Sequence, residues 1–284
     1  MQTKTTTYPS TLATLLACVC VSNAQGQPPP ADLDLIKVYD DLYVIHNEVA
    51  PGNATALITD DGVLLIDDKY ERDYDNMVEL LRSVTDQPVR FVINTHHHGD
   101  HSGSNARFQA AGAEIVASEQ ARLKMVEISQ SGLPVFTIKD FGRLHIGGKS
   151  VELYRFGRGH TDGDVVVYFR DYRLLVAGDL FNYGDATPQL IDYAGGGSAK
   201  DWTRTLDEVL QLGFDTVIPG HGTVTTRAEM QRFRDSTMVL RNRIQDMLRQ
   251  GSSREEIEAV LRGEFGWQDL HVGRGLDGLM GELR

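Results

Sequence analysis

The sequence predicts an α/β fold, because short apolar, β-branched segments alternate along the chain with segments of helical period. Several apolar segments end in glycine beside histidine or aspartate, which is typical of strands that carry functional loops at their carboxyl ends. The chain has 284 residues, of which 41% are hydrophobic, and no linker-like segment interrupts residues 35–284. We therefore expect one large domain over residues 35–284.

The first 24 residues have the pattern of a secretory signal peptide. Lys4 precedes the apolar run 11–21, which is too short for a transmembrane helix, and a small-residue cleavage site ends at Ala24. A lipoprotein processing site at residues 15–18 is the alternative, but Leu at its second position fits poorly. We expect export to the periplasm or the cell exterior, with residues 25–34 as a flexible leader.

Cysteine usage and charge narrow the range of partners. Both cysteines, Cys18 and Cys20, fall in the predicted signal peptide, so the mature chain would have no disulfide and no thiolate ligand. Removing residues 1–24 takes away Lys4 and no acid, which changes the formal net charge from −12 to −13. This charge argues against nucleic-acid binding, and we expect a small-molecule substrate without stable membrane insertion. The sequence carries no indication of oligomeric state.

The strongest functional signal follows a predicted buried strand at Pro88–Asn94. The next residues, 95–101, read THHHGDH. Imidazole and carboxylate are usual zinc ligands, and the order His-x-His-x-Asp-His supplies ligands for two adjacent metals. His97 and Gly99 are the spacers, and Gly99 allows a sharp turn. The alternative is a histidine-rich surface loop that binds metal adventitiously.

Three more ligand-type side chains each follow a predicted strand and stand beside glycine: His160 after 151–156, Asp179 after 174–177 and His221 after 216–218. These strand ends are expected to meet the first loop at one rim. Three other histidines lack ligand spacing and are expected at the surface or in packing roles: His46, His145 and His271.

The last third of the chain predicts helices that cover a sheet. Residues 201–212 and 225–250 place apolar side chains at helical spacing among charged ones. Ser252 or Ser253 is expected to cap a further helix. The tail, 265–284, has several glycines among apolar residues, and its role is open.

The motifs HHHGDH, GRGHTDGD, AGDLF and PGHG occur here in the order and spacing of the metallo-β-lactamase superfamily, which the chain resembles from about Ile36 to its C-terminal region. The resemblance implies an αββα sandwich, with two β-sheets face to face, helices on the outer faces and metals at one edge. It implies one zinc ion on His96, His98 and His160, a second on Asp100, His101 and His221, and Asp179 as the bridging ligand. Asp67 would orient a ligand histidine or loop, or would be a plain strand-end carboxylate.

The resemblance implies a hydrolase that uses two Zn²⁺ ions per chain. Ions about 3.5–4 Å apart would share a water and lower its pKa, so that hydroxide attacks a carbonyl near neutral pH. Asp100 would also orient this hydroxide. The segment HTDGDVVVYF and the secretion signal favour a β-lactam-type amide as the lead substrate class.

Asp179 favours a different substrate class, because zinc β-lactamases with a cysteine ligand place it at this position. Aspartate is the pattern of glyoxalase II and the acyl-homoserine lactonases, so a lactone, an ester or a thioester is the alternative. Those enzymes often carry a second histidine where this chain has Asp164, which departs from their pattern.

Two turn-rich loops, 47–55 and 182–197, are expected to form the substrate walls. Their candidates for substrate contact or oxyanion stabilisation are Asn53, Asn182, Tyr183 and Tyr193. The alternative is that the aromatic residues only pack the loop.

Two other classes of protein are alternatives to a hydrolase. One is a di-iron redox protein on the same scaffold, which His98 disfavours because such relatives typically carry Glu there. The other is a metal-free binding protein, which the complete set of seven ligands disfavours.

Overall fold

The computed structural model describes residues 28–47, 51–184 and 189–284. The predicted signal peptide, with both cysteines, lies outside the described residues, as do residues 25–27 of the predicted leader. The Ala31 N–H donates to Asp73 Oδ1 at 2.7 Å, Leu33 packs against the core, and the first strand begins at Asp34. Residues 31 and 33 of the predicted leader therefore contact the domain that follows them. Within the described ranges, no helix has the length and apolar character needed to cross a membrane.

The strands of the described residues form two mixed sheets. The first has seven strands in chain order: β1 Asp34–Tyr39, β2 Leu42–His46, β3 Ala54–Thr59, β4 Gly62–Ile66, β5 Val89–Ile93, β6 Glu114–Ser118 and β7 Phe136–Ile138. The second has six strands, in the order β13 to β8: β8 Phe141–Ile146, β9 Lys149–Tyr154, β10 Val166–Phe169, β11 Leu174–Val176, β12 Thr216–Ile218 and β13 Thr225–Thr226. Strands β4 to β7 pair in parallel, and so do β11 and β12.

The helices lie between these strands and after them: α1 Tyr74–Arg82, α2 Gly99–Ser102, α3 Asn105–Ala110, α4 Glu119–Glu127, α5 Ala199–Val209, α6 Arg227–Arg249, α7 Arg254–Phe265 and α8 Asp269–Leu283. Short 3-10 turns occupy Glu71–Asp73, Arg170–Tyr172 and Gly178–Leu180. The predicted helix at 225–250 begins later, at Arg227, because Thr225 and Thr226 pair with β12 instead.

The central strand β4 shows how the two-sheet core forms. All five of its residues are buried, and its side chains alternate between two faces. Leu64 and Ile66 pack between the sheets, whereas Val63 and Leu65 pack outward in the cluster that includes residues of α1 and α3. Burying each such side chain contributes about 2 kcal/mol. A strand that is apolar on both faces requires cover on both, which the opposite sheet and the outer helices supply.

The outer face of the second sheet is covered by α5 to α8, so the predicted αββα sandwich is confirmed. Ser253 caps α7, and Glu256 completes a capping box with it. The tail whose role was open forms α8, which buries Leu276 and Leu279. Gly278 on this helix leaves room for Tyr193, because a Cβ there would lie 2.3 Å from the Tyr193 ring.

Four strands end at one edge of the sandwich and so build the rim that carries the candidate site. In the first sheet Ile66 at the end of β4 is aligned with Ile93 of β5, and in the second Val176 of β11 is aligned with Ile218 of β12. A hydrogen bond of 2.8 Å from the Val165 N–H to the Thr95 carbonyl joins the two sheets at this edge. The loops that follow these strands therefore converge.

Candidate metal centre

One group of side chains at the rim, the first cluster, consists of His96, His98 and His160. The Nδ1 atom of His98 lies 3.1 Å from His96 Nε2 and 2.9 Å from His160 Nε2. His96 and His160 are buried, and Asp179 Oδ2 lies 3.5 Å from His160 Nε2. Three imidazole nitrogens and one carboxylate oxygen thus lie within 4.8 Å of one another, so the structure brings together the residues that the resemblance assigns to one ion and its bridge.

The outward nitrogen of each first-cluster histidine has its own partner. His96 Nδ1 lies 3.1 Å from Thr95 Oγ1, and His160 Nδ1 lies 2.7 Å from the Leu190 carbonyl. His98 Nε2 lies 2.8 Å from Asp192 Oδ2. An outward nitrogen that donates to such an acceptor leaves the lone pair of the inward nitrogen available. The three rings are therefore oriented as metal ligands.

A second group, the second cluster, consists of Asp100, His101 and His221. The Oδ2 atom of Asp100 lies 3.7 Å from His101 Nε2 and 3.3 Å from His221 Nε2. Asp179 Oδ1 lies 3.1 Å and 3.4 Å from the same two nitrogens. Asp179 therefore turns one carboxylate oxygen toward each cluster, which is the position of a bridging group.

Asp67 supports both clusters from behind. Its Oδ2 lies 2.8 Å from His101 Nδ1 and accepts the Thr95 hydroxyl at 2.8 Å, while its Oδ1 accepts the Thr95 N–H at 2.7 Å. Because the Thr95 hydroxyl also contacts His96, one buried carboxylate orients a histidine of each cluster. Of the two interpretations offered by the sequence, these contacts favour an orienting residue over a plain strand-end carboxylate.

The charges of the rim fit a cation. Burial lowers the pKa of His160 to about 4 and lowers that of His96, so these two side chains are neutral imidazoles. Burial opposes protonation of His221 as well, but Asp179 and Asp100 raise its pKa to about 10. His101 Nε2 and Asp179 Oδ1 are buried and lie 3.1 Å apart, but neither makes a hydrogen bond of acceptable geometry within the described parts of the chain. Divalent cations would satisfy these atoms and offset the carboxylates.

Asp164 supports the His160 loop from outside the clusters. Its carboxylate accepts the Thr161 N–H at 3.0 Å and the Thr161 hydroxyl at 2.5 Å, and burial raises its pKa to about 7. The residue that departs from the lactonase pattern is thus part of a buried turn next to His160.

Two residues of the rim have roles that the sequence does not predict. Asp192 contacts His98 across 94 positions of the chain, and no local pattern signals such a pair. Lys69 is fully buried and donates to the Gly52 carbonyl at 2.6 Å, and burial lowers its pKa to about 7. The only sequence signal for Lys69 is its place three residues after the buried strand β4.

The structure gives two of the predicted substrate contacts scaffold roles. Asn53 donates both side-chain N–H bonds to backbone carbonyls, those of Pro219 and Gly222, and so has none left for a substrate. The Tyr193 hydroxyl donates to Glu282 Oε2 at 2.8 Å and so holds α8. Both side chains face the interior, where each joins segments that are distant in the sequence.

The other two candidates lie beside His221 in the second loop. The Asn182 Oδ1 accepts the His221 N–H at 2.9 Å, and the Tyr183 N–H donates to the His221 carbonyl at 2.9 Å. Both also line a cavity of about 380 Å³ that reaches Phe233 on α6. Residues 185–188 of this loop, like residues 48–50 of the first, lie outside the described residues.

A cavity of about 500 Å³ opens directly beside the first cluster. Its walls include His97, His98 and Gly99 on one side, and Lys124 and Arg274 on the other. The predicted spacer His97 points toward Asp192, with its Nε2 3.9 Å from Asp192 Oδ2.

The two basic residues that line this cavity differ in their hydrogen bonds and ion pairs. Lys124 donates to Glu127 at 2.7 Å and to the Ala194 carbonyl at 2.9 Å. Arg274 is exposed and has no hydrogen bond or ion pair within the described ranges. The cavity therefore offers one uncommitted cationic side chain near the metal-type ligands.

Comparison with known proteins agrees with this geometry. The model of the metallo-beta-lactamase superfamily matches residues 47–221. A metallo-beta-lactamase type 2 of Bacillus sp. (strain 170) is 24% identical over 78% of this chain and 88% of its own length. A metallo-beta-lactamase type 2 of Elizabethkingia meningoseptica is 26% identical over 70% of this chain and 82% of its own.

Solved structures share the fold. A metallo-beta-lactamase from Pontibacter korlensis superposes with a TM-score of 0.66 at 23% identity, covering 73% of this chain and 99% of that one. The DIM-1 metallo-beta-lactamase superposes with a TM-score of 0.64 at 19% identity, covering 74% of this chain and 98% of the other. At these identities the superpositions show the fold alone.

Proposed function

Since the chain belongs to the metallo-β-lactamase superfamily and is therefore a metallo-hydrolase, we propose that it binds two zinc ions and hydrolyses a carbonyl bond in a small molecule. A β-lactam-type amide is the lead substrate class. The observation that carries the proposal is the arrangement of seven side chains in two clusters that share Asp179. A mixture of imidazole and carboxylate ligands, with no thiolate, suits zinc.

The bound ions would supply Lewis-acid polarisation of a carbonyl and a hydroxide nucleophile near neutral pH. The chain's own groups keep the ligands in the required state. Asp192 and the Leu190 carbonyl hold the protons of His98 and His160 on their outward nitrogens. Burial opposes ionisation of Asp100, but His101 and His221 lower its pKa, so it stays a carboxylate that can orient a proton of the nucleophile.

The cavity beside His98 is the proposed substrate volume. It adjoins the first cluster and is large enough for a small bicyclic molecule. Arg274, on its rim, would pair with an anionic group of the substrate. This supports a substrate that carries a carboxylate at some distance from the bond that is cleaved.

The second candidate substrate class is a lactone, an ester or a thioester. Asp179 supports it, because an all-oxygen-and-nitrogen ligand set is the pattern of glyoxalase II and the acyl-homoserine lactonases. The relatives named metallo-beta-lactamase type 2 support the β-lactam.

One experiment separates these candidates. The zinc-loaded protein without residues 1–24 is assayed against a chromogenic cephalosporin, a penicillin, a carbapenem, an acyl-homoserine lactone, a glutathione thioester and a phosphodiester. Metal content is measured on the same sample, and each assay is repeated with a chelator and again after zinc is restored.

Chelator-sensitive β-lactam cleavage with two zinc ions per chain is the expected result. Strong lactone or thioester cleavage beside weak lactam cleavage would replace the lead substrate with the second candidate. Activity on no carbonyl substrate, with rapid cleavage of the phosphodiester, would contradict the proposed reaction class.

We also propose export through a signal peptide of residues 1–24, on the basis of its composition. Expression of the full chain in a Gram-negative host should yield a periplasmic protein whose N-terminus is Gln25. A cytoplasmic protein that retains Met1 would contradict export, and a lipid-modified cysteine would favour the lipoprotein alternative.

A further inference from the structure

We propose that Gly52 and Asn53, here called the brace, position the second cluster and leave the first cluster unaffected. Loss of the Asn53 side chain should therefore weaken binding of the second metal ion selectively. The inference rests on the two-ion centre proposed above and adds positioning residues to it.

Asn53 holds the loop that carries His221 at three points. Its backbone N–H donates to the Gly220 carbonyl at 2.7 Å. Its side-chain amide donates to the Pro219 carbonyl at 2.9 Å and to the Gly222 carbonyl at 2.8 Å. These acceptors precede and follow His221, so the backbone on both sides of the ligand is fixed by one residue.

The side chain of Asn53 is itself anchored in the first sheet. Its Oδ1 lies 2.8 Å from Nδ1 of His46, the last residue of β2, and only 5% of Asn53 is exposed. His221 follows β12 in the opposite sheet. The brace therefore ties a ligand loop of the second sheet to the first, and relative movement of the sheets at this edge would separate them.

Gly52 lies against the other histidine of the second cluster. A Cβ at position 52 would stand 2.2 Å from Cε1 and 2.4 Å from Nε2 of His101, so only glycine allows the backbone to contact the ring this closely. The Lys69 ammonium holds this backbone in place by donating to the Gly52 carbonyl. Asp67 contacts Nδ1 of the same ring, so His101 has two supports.

The first cluster has different supports. Its outward nitrogens contact Thr95, the Leu190 carbonyl and Asp192, none of which belongs to the brace. This separation is the reason that a defect in the brace should affect one ion and spare the other.

The test is a site-resolved metal titration of the metal-free mature protein and its Asn53→Ala variant. Zinc affinities are measured by competition with a chromophoric chelator, and cobalt is titrated in parallel so that its visible absorption reports each filling step. The second-ion affinity should fall about 10- to 100-fold, the usual cost of removing a group that orients a ligand. The first-ion affinity should stay within about twofold, well below the tenfold change that would mark a lost support.

Tyr168→Phe serves as the matched control. The hydroxyl of this buried tyrosine donates to the Gly213 carbonyl at 3.0 Å, so its loss removes a hydrogen bond between distant segments outside the rim. Both metal affinities should remain unchanged in this variant. A second variant, Gly52→Ala, should reproduce the selective loss by displacing His101 without removing any polar group.

The possible outcomes distinguish a failure of the brace proposal from a failure of the two-ion proposal. If the wild type and Asn53→Ala both bind two zinc ions with equally high affinity, the proposed role of the brace is wrong and the two-ion centre stands. An equal fall of both affinities in Asn53→Ala would also overturn it, because the effect would then be general destabilisation. A wild type that binds a single ion at saturating zinc would overturn the two-ion centre and, with it, the brace.

Discussion

The two clusters of the rim differ in their ligand types and in the contacts that support them. The first has three imidazoles, whereas the second has two imidazoles and a carboxylate. Each combines buried and partly exposed side chains, because His160 and His101 are 0% exposed while His98 is 15% and His221 is 18% exposed. The outward nitrogens of the first cluster each contact a hydrogen-bonding group, whereas the loop that carries His221 is held through its backbone by Asn53. The first site is therefore supported at its ligand rings, and the second also depends on the packing of its loops.

Two aspartates connect the clusters despite this difference. Asp179 turns an oxygen toward each, and Asp67 orients one histidine in each. Variants of these residues should affect both metals, whereas variants of groups that serve one cluster should affect one. This distinction orders the predictions that follow.

The largest effect is expected from Asp179→Ala, which removes the shared ligand. Turnover should fall by far more than the ~100-fold cost typical of an orienting group, and both metal affinities should weaken. The measurement is kcat/KM together with metal content after dialysis. Asp171→Ala, which removes an exposed carboxylate near the same strand, is the control and should match the wild type. Retention of both ions in Asp179→Ala would contradict the bridging role.

Asp100→Ala should also abolish turnover, but by a different route. Asp100 belongs to the second cluster alone, so the first ion should remain bound while the second is weakened. The fold should persist, because Asp100 lies in the four-residue helix α2 at the rim and its side chain is partly exposed. Circular dichroism, metal content and turnover test this together. Wild-type rates in a fully metallated variant would rule out the proposed site.

Asp192→Asn and Asp67→Asn should give a smaller and contrasting pair of effects. Each removes a carboxylate that orients a histidine, for which a loss of about 10- to 100-fold in affinity or activity is usual. Asp192→Asn should weaken only the first ion, since Asp192 contacts His98. Asp67→Asn should weaken both. The same site-resolved cobalt titration measures them, and identical profiles for the two variants would contradict the separate supports of the clusters.

The assignment of the ligands to two ions rests on the family resemblance, but their meeting at one rim has a physical reason in the sequence. His96, Asp179 and His221 each closely follow the end of a short apolar strand, and strand ends in a sheet converge at one edge. The same holds for the fold, because the strand Gly62–Ile66 is apolar at every position and requires cover on both faces.

The supports of the ligands could not be predicted in this way. Asp192 and His98 are brought together by the packing of two sheets, and Asn53 contacts residues 166 and 169 positions away. Polar residues in turn-rich loops suggested substrate contact, but in Asn53 and Tyr193 the polar atoms face the interior. The glycines of the tail concealed helix α8, and two of them, Gly275 and Gly278, leave room for the rings of Trp267 and Tyr193.

The smallest predicted effect concerns the substrate and not the metals. Arg274 lies on α8, beyond the residues that the superfamily model matches, and lines the cavity beside His98. Because the guanidinium is exposed, its pairing with a substrate carboxylate is worth at most about 1 kcal/mol, or roughly a fivefold change in KM. Arg274→Gln should therefore raise KM for an anionic substrate by about this factor and leave kcat and KM for its neutral methyl ester unchanged.

The control for this measurement is Arg82→Gln, which removes an exposed arginine on α1, away from the cavity. It should leave both substrates unaffected, so that a general change in protein charge is excluded as the cause. An equal rise in KM for the acid and the ester in Arg274→Gln would mean that Arg274 shapes the cavity without recognising charge. The cavity beside His98 would then select substrates by shape and not by charge.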